Sequence, residues 1–124
     1  MAQNKQPEVW LRGPIKDIPA LLQPAAHALL QTREEVHLYI PDFPEELLWI
    51  KPAGRASVGF HLQHLTGVLD RMLSYAQAKE LSKNQFELLR QEGDSQTKKS
   101  KDKLVKDFDL KVAEALEYFK TIEE

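Results

Sequence analysis

Residues 57–75, SVGFHLQHLTGVLDRMLSY, have the hydrophobic period of an amphipathic helix, and the rest of the fold is predicted outward from them. Apolar side chains recur along this stretch at steps of three and four, which indicates a stripe that faces a helical core. The stretch also carries His61 and His64, whose side chains project from the same side of a helix because three residues make just under one turn. The pair is a candidate for a metal site, or for a packed interface that holds no metal.

A second row of side chains lies beside the leucine stripe on the same predicted helix. The row consists of Ser57, His61, His64, Val68, Arg71 and Tyr75. We predict that His64 and His61 are the ligands if a metal binds, and that the other four residues line a pocket. Gly59 and Gly67 interrupt the helix at a cost of about 1 kcal/mol each relative to alanine. They indicate either the close approach of another group or simple tolerance of glycine.

The remaining sequence predicts further helices and no strands. The other long segments follow a helical period, Ser57 and Ser82 are predicted N-caps, and no segment alternates with period two over a useful length. Helices with seams at steps of three and four, joined by connectors, indicate an all-α, up-down helical bundle. The predicted helices span residues 18–40, 57–78, 83–92 and 101–122.

The whole chain, residues 1–124, is predicted to be a single domain, since its length lies in the usual range for one domain. Residues 1–16 contain two prolines and a glycine and show no clear period. We expect them to form an extended N-terminal arm that packs through Trp10 and Leu11. Residues 94–100 are polar and basic, and we expect them to form a solvated loop.

Composition narrows the class of function. The chain holds 17 Lys and Arg against 19 Asp and Glu, and its formal charge of −2 gives no general attraction to nucleic acid or to acidic lipid. It has no cysteine, which excludes disulfides, thiolate metal sites and a cysteine nucleophile. No apolar run approaches the roughly 18 residues that span a bilayer. We therefore expect a cytoplasmic protein that binds neither nucleic acid nor a membrane.

Residues 47–93, LLWIKPAGRASVGFHLQHLTGVLDRMLSYAQAKELSKNQFELLRQEG, resemble the DinB-like (DinB/YfiT) superfamily. The likeness is closest to a branch with the pattern kP-G-ASvGFHL-Hi-G-lDRlL-YA-g--Ls--Q. It extends over residues 18–92 when the preceding helix is included. The resemblance implies a DinB/YfiT-like four-helix bundle that is often a homodimer.

Many members of that superfamily hold a divalent metal with three histidines, one on the second helix and two from an H-x-x-x-H pair near the C-terminus. The second-helix ligand carries over to His64, and His61 is the neighbour that orients it or lines the pocket. No histidine follows His64, so the chain resembles a short member that lacks the C-terminal pair. Either the natural chain is longer, or the short form is complete and another copy covers the exposed seam.

Two functions stay open on these grounds. The first is a degenerate dimeric scaffold, metal-free or weakly metal-binding, that serves as a small-molecule or protein-binding module. The alternative is a divalent-metal-dependent enzyme of the DinB/YfiT type, a thiol S-transferase or related catalyst, that uses His64. If a partner chain completes the site, we expect nickel, zinc or iron as cofactor, and otherwise none. Fold alone does not decide whether the chain is an enzyme.

Overall fold

The computed structural model describes residues 6–94 and 99–123, and α-helices form the framework of this part of the chain. Short 3-10 turns precede the first α-helix and connect it to the second, and no strand occurs within the two described ranges. The prediction of an all-α helical bundle is therefore confirmed. The helices are α1, Gln23–Tyr39; α2, Val58–Ala76; α3, Lys83–Gln91; and α4, Lys101–Lys120.

Helix α4 packs against both α1 and α2 and supplies half of the buried core. Its core side chains recur at steps of four, and their burial is the main favourable contribution to folding, at about 25 cal/mol per Å² of apolar surface. Helix α3 is short, has no buried residue and packs on α2 outside this core. The core cluster consists of Val36, Leu48, Leu62, Leu104, Phe108 and Val112.

Serine hydroxyls fix the starts of α2 and α3, as the sequence predicted. The Oγ atom of Ser57 accepts the N–H of Phe60 at 3.0 Å, and Oγ of Ser82 accepts the N–H of Gln85 at 3.1 Å. Gln85 completes a capping box, because its Oε1 atom accepts the N–H of Ser82 at 2.8 Å. Each cap satisfies backbone donors that have no partner inside the helix, which is worth about 1 kcal/mol.

Helix α1 begins at Gln23, later than the predicted start at residue 18. Pro24 has no N–H to donate and stands in the first turn, the place where a helix tolerates proline. Upstream of it, Ala20–Leu22 form a 3-10 turn. Asp17 has a φ of 65°, so no regular helix can run through this residue. The apolar spacing of a 3-10 turn resembles that of an α-helix over so short a segment, which explains the difference.

The described part of the N-terminal arm is interrupted by a 3-10 turn and is therefore not extended throughout. Val9–Leu11 form a 3-10 turn, and Val9 is the residue that packs, with 5% of its surface exposed. The prediction that the arm packs through Trp10 and Leu11 is wrong, since these side chains are 51% and 68% exposed. A 3-10 turn has three residues per turn, so only one of three consecutive side chains can face the core. The first residues of the predicted arm lie outside the described residues.

The predicted polar loop at 94–100 is described only at its ends, and residues 95–98 lie outside the described part. At the far end, the indole Nε1 of Trp49 donates a hydrogen bond to the carbonyl oxygen of Lys99 at 3.1 Å. The hydroxyl of Ser100 then caps α4. Among the described residues, no helix combines the length and the apolar character needed to cross a membrane.

Candidate functional site

The carboxylate of Glu92 joins two residues of the predicted pocket. Its Oε2 atom lies 2.7 Å from Nδ1 of His64, and its Oε1 atom accepts a hydrogen bond from Nη1 of Arg71 at 2.8 Å. The Glu92 side chain is 5% exposed and that of Arg71 is 10% exposed. We call these three residues the Glu92 cluster. Burying a carboxylate requires both a counter-charge and hydrogen bonds, and this cluster supplies both.

The sequence builds the Glu92 cluster from two distant segments. His64 and Arg71 are seven residues apart on α2, which is two turns, so they share one face of that helix. Glu92 directly follows α3 as its C-cap. The next residue, Gly93, has a φ of 78° and donates its N–H to Oε1 of Gln63 at 2.9 Å. This contact fastens the end of α3 to α2 and holds the carboxylate in place.

Gly67 explains how the carboxylate fits against α2. A Cβ atom at this position would overlap Oε1 of Glu92 and would lie 2.9 Å from Nη1 of Arg71. Gly59 shows the same principle, because a Cβ there would lie 2.8 Å from the indole ring of Trp49. Of the two explanations that the sequence left open for these glycines, close approach of another group is therefore the correct one.

The His64 ring is held from two sides and remains 42% exposed. Phe60 stacks on it, with ring centroids 5.1 Å apart and an angle of 15° between the planes. An ionised carboxylate can only accept, so the neutral ring carries its proton on Nδ1 and donates it to Glu92. Nε2 then keeps its lone pair, and it makes no hydrogen bond within the described part of the chain. A fixed imidazole with such a lone pair can accept a proton or bind a metal.

The other predicted pocket residues do not all meet at this cluster. Ser57 is 2% exposed and lines a cavity of about 230 Å³ together with Phe60 and Glu92. His61 is exposed and stands edge-on to Phe60, with ring centroids 5.4 Å apart, so Glu92 rather than His61 orients His64. The two remaining residues of the predicted row make no hydrogen bond to Glu92: Val68 is half-buried and Tyr75 is 53% exposed.

The described residues contain no group of three or more His, Asp or Glu side chains that could hold a metal ion. The Glu92 cluster offers only His64 and Glu92, whereas a catalytic metal usually has three protein ligands. The pair does match one part of many metal sites, a histidine whose second nitrogen donates to a carboxylate. A metal at Nε2 of His64 would thus need ligands from another chain, as the sequence-based hypothesis of an intersubunit site requires.

The remaining histidines serve the packing of α1. Nε2 of His27 lies 2.9 Å from the carbonyl oxygen of Gly13, which ties the N-terminal segment to α1. Nε2 of His37 lies 2.7 Å from a carboxylate oxygen of Asp109, which joins α1 to α4 at an exposed position. Neither histidine contacts the Glu92 cluster.

A second polar network fixes α3 and thereby Glu92. Nε2 of Gln85 donates to Asp70 at 3.0 Å and to Ser74 at 2.9 Å, and Nζ of Lys111 donates to Asp70 at 2.9 Å. Burial by itself raises the pKa of Asp70, but the hydrogen bonds from Lys111 and Gln85 outweigh it and lower that pKa below its ordinary value. The network joins α2, α3 and α4.

Glu92 is the functional candidate that sequence reasoning missed. One signal pointed to it indirectly, because Arg71 lies beside the leucine stripe of α2 and a guanidinium buried there needs an acidic partner. The sequence offers 19 acidic residues and does not say which one folds back onto α2. From the sequence alone, Glu92 is recognisable only as the last residue of a helix that ends before Gly93.

Comparison with known proteins adds no relative: no family model, no curated protein and no solved structure matches this chain.

Proposed function

We propose that this protein is a cytoplasmic helical-bundle scaffold that works as a homodimer and binds a small molecule or a protein segment at His64. The Glu92 cluster carries the proposal. A buried ion pair adds little stability compared with apolar side chains of the same size, so packing alone gives no reason for it. Its effect is to hold one half-exposed imidazole in a fixed orientation, with Nε2 available to a ligand.

Exposed apolar side chains on α2 and α3 support a dimer. Five large side chains of these two helices are between 38% and 54% exposed. Apolar surface of this kind usually marks a contact with a partner, and a twofold dimer is the commonest solution. The five side chains are Met72, Tyr75, Phe86, Leu88 and Leu89.

The second candidate function is a divalent-metal-dependent enzyme of the DinB/YfiT type with His64 as a ligand. The pairing of His64 with Glu92 favours it, because the carboxylate would orient the ring of a metal-bound histidine and raise its basicity. Nickel, zinc or iron would supply acidity to a bound water or thiol. The chain's own contribution would be to hold the ring of His64, and a partner chain would contribute the further ligands.

Metal content per chain separates the two functions. Tag-free protein is exposed to zinc or nickel, desalted and examined by elemental analysis, as wild type, His64→Ala and His61→Ala. The scaffold proposal expects no stoichiometric metal in any of the three. One metal per chain or per dimer, lost in His64→Ala and kept in His61→Ala, would instead support the enzyme. His61→Ala tests the other predicted ligand separately, since Glu92 is bonded to His64 and not to His61. Loss of the metal in both variants would support a site that uses the two histidines together.

Ligand binding tests the scaffold directly. A set of small molecules is screened against isotope-labelled protein by NMR, and sedimentation equilibrium gives the oligomeric state. We expect a dimer, and ligands whose chemical-shift changes centre on His64 and Phe60 and disappear in His64→Ala but not in His61→Ala. A monomer whose ligands all bind elsewhere would contradict the proposal.

A further inference from the structure

A cavity of about 230 Å³ adjoins the Glu92 cluster. It shares Phe60 and Glu92 with the His64 site, since Phe60 stacks on His64 and Glu92 is bonded to it. The remaining walls come from the segment that leads into α2 and from the turn after α3. Those walls are Lys51, Gly54, Arg55, Ala56, Ser57 and Gly93.

Two cationic side chains at this cavity have no counter-charge within the described part of the chain. Lys51 and Arg55 are exposed, and neither side chain takes part in a hydrogen bond or an ion pair there. The one carboxylate in the lining, Glu92, is already neutralised by Arg71 at 2.8 Å. The cavity therefore has an excess of positive charge on a protein whose formal charge is −2.

A tight turn brings the two cations to the same cavity. The carbonyl oxygen of Lys51 accepts the N–H of Gly54 at 3.2 Å, and that of Pro52 accepts the N–H of Arg55 at 2.9 Å. Gly54 has a φ of 74°, a conformation that glycine adopts without strain. The short closed segment brings the backbones of residues 51 and 55 together, and both residues line the cavity.

Side chains rather than the end of α2 supply the positive charge. The N–H of Phe60 is used by Ser57, and the N–H of Gly59 donates to the carbonyl oxygen of Leu48 at 2.7 Å. These amide groups of the first turn are therefore engaged within the protein. An anion in the cavity would be recognised by the ammonium of Lys51 and the guanidinium of Arg55, whose fork matches the oxygens of a carboxylate or phosphate.

We propose that this cavity binds the anionic group, carboxylate or phosphate, of the small molecule that reaches His64. The inference rests on the proposed function in one respect, that the ligand continues to His64. The volume is below the roughly 300–1,000 Å³ of pockets for drug-sized ligands, so it suits the charged end of a ligand rather than a whole one. Phe60 offers an apolar surface between the charged group and the imidazole.

Titration with inorganic phosphate and, separately, with succinate tests the proposal. Both are followed by NMR at low ionic strength on wild type, on the Lys51→Ala/Arg55→Ala variant and on a Lys79→Ala/Lys83→Ala control that removes the same charge from exposed positions. We expect chemical-shift changes in residues 51–60 and affinity lowered about tenfold in the first variant, because charge-assisted hydrogen bonds are lost. The control should change affinity by less than about twofold, since Lys79 and Lys83 do not line the cavity and lose no charge-assisted hydrogen bond to the anion.

The phosphate and succinate arms also show which anion the cavity prefers. Absence of binding by both anions in wild type would overturn the inference, and so would an equal loss of affinity in the two charge variants. Thermal unfolding checks that all variants are folded. His64→Ala should keep anion affinity within about threefold, because the cations hold the anion; an equal loss there would also overturn the assignment to Lys51 and Arg55. Failure of the screened ligands at His64 with anion binding intact would contradict only the proposed function.

Discussion

The missing methyl group at Gly67 makes room for the carboxylate of Glu92. Alanine is favoured over glycine inside a helix by about 1 kcal/mol, so propensity alone predicts that Gly67→Ala stabilises α2. The added Cβ would overlap Oε1 of Glu92, and that atom cannot move without leaving Arg71. We expect Gly67→Ala to lower the free energy of unfolding by about 1–2 kcal/mol, measured by urea denaturation.

The same substitution made in the Glu92→Ala variant isolates the cause of this effect. In Glu92→Ala the overlapping oxygen is absent and Arg71 can move, so adding Gly67→Ala should restore the gain expected from helix propensity. Expressed as changes in the free energy of unfolding, the interaction energy of the double-mutant cycle should therefore be positive, by about 2–3 kcal/mol. Equal effects of Gly67→Ala in both backgrounds would mean that Glu92 does not limit the space at residue 67.

At the residue scale, local chemistry could be predicted but long-range pairing could not. Ser57 as an N-cap follows from its position before an apolar period, and the structure confirms it. The partner of His64 lies 28 residues away and is chosen by how α3 docks. Spacing along one helix carries no information about that docking, so Glu92 could be found only in the folded chain.

Helix α3 is the element on which the candidate site depends. It has nine residues and none is buried, whereas isolated helices shorter than about 12–15 residues are marginal in water. Its capping box and the bonds from Gln85 to α2 must therefore stabilise it. Glu92 follows its last turn, so loss of α3 would release the carboxylate.

Removing the N-cap of α3 should therefore destabilise α3 more than the other helices. We expect Ser82→Ala to lower the free energy of unfolding by about 1 kcal/mol and to speed hydrogen exchange of amides within α3 before those of α4. Lys83→Ala is the control, since it changes an exposed residue in the same turn and keeps the cap. Uniform loss of protection in all helices would show that α3 does not open by itself.

The helices were predicted well where the apolar period is strong, and for α2 and α3 a serine N-cap marks the start as well. Helix α2 lies within the predicted 57–78 and α4 within the predicted 101–122, and α3 was anticipated through Ser82. The start of α1 and the shape of the N-terminal arm were not predicted correctly. There, prolines and short 3-10 turns decide the backbone, and apolar spacing does not distinguish them from an α-helix or an extended arm.

Across the whole molecule, an ion pair between Asp70 of α2 and Lys111 of α4 couples stability to pH. Burial lowers the pKa of Lys111, but Glu114 and Asp70 outweigh it and raise that pKa above its ordinary value. For Asp70, burial acts upward and the bonds from Lys111 and Gln85 prevail, so its pKa is lowered. A lowered carboxyl pKa gives stability that is present above the unfolded value and lost as pH falls through the folded value. A raised lysine pKa gives stability that is present below the unfolded value and lost as pH rises through the folded one.

The lowered pKa of Asp70 and the raised pKa of Lys111 together predict a range of pH in which Asp70→Asn reduces stability most. We expect the variant to be less stable than wild type by about 1 kcal/mol near pH 7, because a partly buried pair with good geometry is removed. The difference should shrink as pH falls below the ordinary carboxyl range through the lowered pKa of Asp70, and as pH rises above the ordinary lysine range through the raised pKa of Lys111. Urea denaturation of both proteins across this range measures it. Asp42→Asn, at an exposed position, should show no such window. The stability difference between wild type and Asp70→Asn would instead stay constant from pH 2 to pH 11 if the charge of Lys111 did not matter. Asp70 would then hold α2, α3 and α4 together through its hydrogen bond from Gln85 rather than through the ion pair.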